Sequence, residues 1–102
     1  MKIIKKVSEY IEEEIGDARK YVTKALECKE EHPDASKLFY TLSTEELDHA
    51  MRLHKLVVNL IESYRSVNGE PPKEMMFVYD YLHKRQIDAT AEVKNLQAMY
   101  KE

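Results

Sequence analysis

Glu14, Glu46 and His49 occupy positions where the surrounding helical pattern calls for apolar residues. The first segment carries a stripe of Ile4, Val7, Ile11, Glu14, Ala18, Tyr21, Ala25 and Cys28, at alternating steps of three and four. The second carries Ala35, Phe39, Leu42, Glu46, His49, Leu53, Leu56 and Leu60. A carboxylate in such a seam costs several kcal/mol (about 3–5) unless a partner or a cation compensates it. Carboxylate oxygen and imidazole nitrogen are ligands for Fe(II), Mn(II) or Zn(II), and affinity alone does not choose among them. A buried cation is therefore the chemistry these three residues predict.

Two breaks define the elements that must position them. Pro33 disfavours helical geometry at His32 and suits the first turn of a new helix, with Asp34 beside it. Asn68-Gly69-Glu70-Pro71-Pro72 supplies a glycine stop followed by prolines. Three helices follow, over roughly 3–30, 34–66 and 72–100, antiparallel to their neighbours because the connections are short. The second helix has another apolar row, Leu47, Ala50, Val57, Ile61 and Tyr64. The third has Met75, Tyr79, Leu82, Gln86, Ala89, Val93, Leu96 and Tyr100. A helix with two apolar faces expects partners on two sides, and a dimer supplies the second.

Counted from the first turn, the three polar residues are level. Glu14 lies 18 residues before His32, and Glu46 and His49 lie 14 and 17 after it. At about 1.5 Å per residue, all three stand roughly 21–27 Å from the turn. The i, i+3 step places Glu46 and His49 on one face, one turn apart.

Three ligands are half of a larger set. Di-iron sites in helix bundles take one Glu from each of two helices and a Glu-x-x-His from each of the other two. The nearest candidate on the third helix, Asp80-x-x-His83, falls roughly 10 Å short of the required height. Glu92 is level with Glu46 but flanks the third helix's stripe, which makes it a candidate extra carboxylate. Glu13 replaces Glu14 if the first register slips by one. Two-fold symmetry completes the set most simply: an isologous dimer doubles each ligand and encloses two ions between four carboxylates and two imidazoles.

Composition agrees with a soluble all-α chain. The 102 residues suit one domain, with 43% hydrophobic and 34% charged residues, two Gly and three Pro. A net charge of −3 without a basic stripe argues against nucleic acid as a partner. The single Cys28 excludes an internal disulfide and a thiolate cage and fits a reducing compartment. The basic start lacks the apolar run of a signal peptide, and no stretch suits a membrane span, so the expected location is the cytoplasm.

The string Ser43-Thr44-Glu45-Glu46-Leu47-Asp48-His49-Ala50 resembles the Glu-Glu-x-x-His-Ala signature on the second helix of ferritin-like di-iron carboxylate proteins, of rubrerythrin and ferritin type. Among them the chain is most similar to encapsulated ferritins, which carry half a ferritin bundle. Glu14 followed by Tyr21 reproduces that family's Glu and Tyr spacing, and the gap of 32 residues from Glu14 to Glu46 is close to the superfamily's. The resemblance covers the first two helices. It implies a ferritin-like four-helix bundle completed by dimerisation and an inter-subunit ferroxidase centre oxidising Fe(II) with O2 or peroxide. Glu46 would bridge, Glu14 and His49 would be terminal ligands, and Tyr21 would bond behind them. The long third helix departs from that pattern. No Gly/Ser-rich linker or docking peptide follows it within these residues, so an encapsulating shell is not expected, and no Cys pair supplies a rubredoxin-like module.

A plainer assignment exists for each residue. A seam Glu and His can form a polar pair that only fixes register, in a non-catalytic helical oligomer or interaction protein. Tyr21 reads as a core aromatic, His54 as a surface residue, His32 as a loop residue, and Met75 and Met76 as core filler.

Overall fold

In the computed structural model, which describes residues 2–102, three helices account for nearly all of the chain. These are α1 (Lys2–Glu27), α2 (Pro33–Asn68) and α3 (Lys73–Lys101), and no strand occurs among the described residues. They lie side by side in a rod of 56 × 18 × 17 Å. None of them is long and apolar enough to cross a membrane.

The boundaries follow local chemistry. α1 ends earlier than its apolar period suggests, because residues 28–31 form a turn. That turn is closed by Cys28 N–H to Lys24 O (3.1 Å) and His32 N–H to Cys28 O (2.9 Å). α2 opens on Pro33, whose missing N–H would have had no helical acceptor. It stops at Gly69, where φ is +78°, a left-handed conformation that side chains with a Cβ rarely adopt. The Gly69 N–H closes the last turn on Arg65 O at 3.0 Å.

α1 and α2 are antiparallel and pack closely. Ser36 Oγ donates to Ala25 O (2.5 Å), and Ser43 Oγ donates to Ala18 O (2.6 Å). All four residues are fully buried. Small side chains let the backbones approach, and each hydroxyl satisfies a helix carbonyl that also accepts within α1. The register set by these two bonds carries Ile11 opposite Ala50 and Ile4 opposite Val57, so side-chain volume between α1 and α2 increases away from the turn. α3 runs parallel to α1 and lies along one side of the hairpin. Gln86 Nε2 donates to Ser8 O (3.2 Å), Arg19 pairs with Glu92 (2.8 Å), and Val93 is fully buried.

This packing corrects two of the expected stripes. On α1 the core positions are Ile15 and Val22, not their neighbours Glu14 and Tyr21, which turn to the flank. On α2 the core row is Ser36, Ser43, Leu47, Ala50, Val57 and Ile61. The row expected to be buried is only half-covered, and Ala35, His49 and Leu56 on it are exposed. The buried row is the one that faces α1, whose carbonyls Ser36 and Ser43 bond, and α3 touches α2 only sparsely, so the other row stays open. The α3 stripe is met by Gln86 and Val93 in the core, with Met75, Tyr79, Ala89 and Leu96 packed against it.

Truncating the centre of this core tests the packing. Ile11 is 3% exposed. Ile11→Ala should lower unfolding free energy by about 2–5 kcal/mol in a urea titration followed by helical circular dichroism.

Candidate metal centre

Glu14 faces outward from α1 because its neighbour Ile15 takes the core position. Glu46 and His49 flank the core residue Leu47 on α2 in the same way. The antiparallel register brings these three side chains together on the side of the hairpin away from α3. One ligand atom from each lies within 4.8 Å of the others. His49 Nδ1 is 3.5 Å from Glu14 Oε2 and 3.8 Å from Glu46 Oε2. Two atoms bound to one ion at about 2.1 Å are at most about 4.2 Å apart. Both measured separations are inside that limit, so small torsional changes would bring the trio around one cation.

The trio sits in a cleft that water reaches from one side. The side chains of Glu14, Glu46 and His49 are 28%, 20% and 51% exposed. The dry seam expected from the sequence is therefore half-open, and the open side is the uncovered row of α2. Glu14 Oε2 is nevertheless shielded from solvent and makes no hydrogen bond while both carboxyl groups are ionised. A shielded carboxylate oxygen without a hydrogen bond, with His49 Nδ1 3.5 Å away and a second carboxyl group facing it, is relieved by a cation or by a proton held between the two carboxyl groups.

Comparison of the chain with protein-family models, with curated proteins and with solved structures finds no match. The geometry must be interpreted on its own terms.

The other candidate residues lie elsewhere. Glu92 forms the 2.8 Å ion pair with Arg19 on the α3 side, away from the trio. Glu13 is exposed. Tyr21 stacks on Phe39 with ring centroids 6.3 Å apart, about two turns along α1 from Glu14. Within one protomer it is an aromatic of the flank, beside the open row of α2.

Two features were not legible as functional residues. Ser43 and Ser36 hold α2 against α1, and their signal was a seven-residue spacing in line with Ala50 and Val57. His54, expected on the surface, is half-buried and stacks on His83 of α3 with ring centroids 4.7 Å apart. Burial, and then the charge of His83, holds His54 below its usual range. The pair lines an apolar groove of about 380 Å³ between α2 and α3.

The two carboxylates interact strongly. A hydrogen bond to Glu14, then burial and the Glu14 charge, raises Glu46 from 4.5 to about 7, against a lowering by His49. A group whose folded pKa exceeds its unfolded one stabilises the fold below the unfolded value and loses that contribution as pH rises through the folded value. With chelator present, the Glu46 contribution should therefore be full below pH 4.5 and gone above about pH 7. The difference between the pH–stability curves of the parent chain and Glu46→Gln, from urea midpoints, should rise over that window; parallel curves would refute the shared proton.

Proposed function

We propose that the chain is a ferritin-like di-iron carboxylate protein that oxidises Fe(II) in a centre shared by two copies. The observation that carries this reading is the convergence of Glu14, Glu46 and His49, whose ligand atoms lie within 4.8 Å of one another. Support comes also from the solvent-shielded Glu14 oxygen and from the half-covered row of α2 that flanks the trio. A second copy placed on that row by a two-fold axis doubles the donors to four carboxylates and two imidazoles. These offset the charge of two divalent ions and close the cleft against water. The choice of iron over manganese or zinc rests on the resemblance of the Glu46–His49 segment to ferritin-like second helices.

With peroxide as oxidant, two Fe(II) each give one electron, and the peroxide takes two protons to leave as two waters. Both irons finish as Fe(III). Glu14, Glu46 and His49 would hold the ions, which would supply the electrons that reduce the oxidant. Glu46 gives up its proton when the cation binds, so binding tightens as pH rises through neutrality.

One observation favours a second reading, a non-catalytic helical oligomer whose polar seam fixes register. The Glu46–Glu14 hydrogen bond satisfies part of the trio without a cation. In that case chelator leaves assembly unchanged, and Glu46→Gln is tolerated or stabilising.

Anaerobic reconstitution with Fe(II), followed by metal analysis and sizing, separates the two. The di-iron reading expects about one iron per chain and a dimer that excess chelator dissociates. It also expects oxygen or peroxide consumption on added Fe(II), and Glu14→Ala should abolish all three. Bound metal below about a tenth of an equivalent would refute it.

A further inference from the structure

Ser43 is buried between all three helices. Its hydroxyl donates to Ala18 O of α1 at 2.6 Å and accepts from Gln97 Nε2 of α3 at 3.0 Å. The single hydroxyl proton is thereby committed to α1, and the amide of α3 fixes its direction. Ser43 stands one turn before Glu46 on α2, and Ala18 one turn after Glu14 on α1. The hydrogen bond between them therefore ties α1 to α2 one turn from each of the two carboxylates. It also marks a change in packing. On the turn side of the trio the helices meet through Ala18 and Ser43, and on the far side through Ile11 and Ala50, a bulkier buried pair. The trio lies between those two layers, where the separation of α1 and α2 is decided.

We propose that Ser43 is a positioning residue of the Glu14–Glu46–His49 centre, setting the spacing of its two carboxylates, and that α3 takes part through Gln97. This rests on the trio's binding a metal ion. Ser36 provides an internal control. It makes the same bond to Ala25 O (2.5 Å), and it is equally buried. It lies one heptad further from the trio, about 10.5 Å along the axis. Ser36 and Ser43 thus contribute alike to packing and differ in their distance from the ligands.

Co(II) is the probe, because its visible absorption reports ligand geometry and its titration reports affinity. The full chain and the variants Ser43→Val, Ser43→Ala, Gln97→Leu and Ser36→Val are compared, with thermal unfolding measured in parallel. Ser43→Val should weaken Co(II) binding about tenfold or more and alter the absorption bands. Ser43→Ala and Gln97→Leu, which add no bulk against α1, should weaken it about threefold to tenfold and keep the assay informative if the Val variant fails to fold. Ser36→Val should lower the unfolding temperature comparably while leaving affinity within about twofold and the bands unchanged. Equal effects of Ser36→Val and Ser43→Val, or unchanged spectra in every Ser43 and Gln97 variant, would overturn the positioning role while the parent chain still bound Co(II). Absence of Co(II) binding by the parent chain would instead overturn the metal reading, and the positioning role with it.

Discussion

The close approach of α1 and α2 is the constraint from which the rest follows. Ala18, Ala25, Ser36 and Ser43 remove side-chain bulk along one line, and the two serine hydroxyls bond the carbonyls they face. Because a hydroxyl buried without a partner would cost about 1–3 kcal/mol, each bond penalises any slip of one helix along the other. Register along the hairpin is therefore well determined. A determined register is what makes Glu14 level with Glu46 and His49. If α2 moved by one turn, about 5.4 Å, the trio would not converge.

Sequence reading reached the helices and the level of the trio because both depend on local signals. Pro33 and the Gly69–Pro72 break are unambiguous stops, and distance counted from a short turn is preserved in an antiparallel hairpin. Which face of α2 points inward was not legible. Apolar residues occur on two rows, and the decision belongs to the fit against α1, where Ser36 and Ser43 meet Ala25 and Ala18, which periodicity does not encode. The serines added to the difficulty, since polar residues spaced by seven resemble a solvated stripe until the facing carbonyls are known. The same ambiguity moved Glu14 and Tyr21 from core to flank and put Ile15 and Val22 in their place.

The flank position changes the energetics of the centre. A sealed carboxylate pair would carry the whole desolvation penalty in the isolated chain. At 28% and 20% exposure Glu14 and Glu46 keep part of their hydration, and one proton between them covers much of the remainder. The acidic cleft stays reachable from solvent. In the apolar row beside it Leu56 is exposed, while Leu53 and Leu60 are half-buried against the core.

The sparse anchoring of α3 has a consequence for the order in which the chain comes apart. Only Gln86 and Val93 of its residues are buried, whereas α1 and α2 share a continuous interior near the first turn. Local opening free energies follow the apolar surface that each element hides. Slowest amide exchange is therefore expected in the hairpin around Ala18 and Ser43, and earlier exchange in α3. Any opening of α3 removes the Gln97 hydrogen bond and leaves the Ser43 hydroxyl tied to α1 alone.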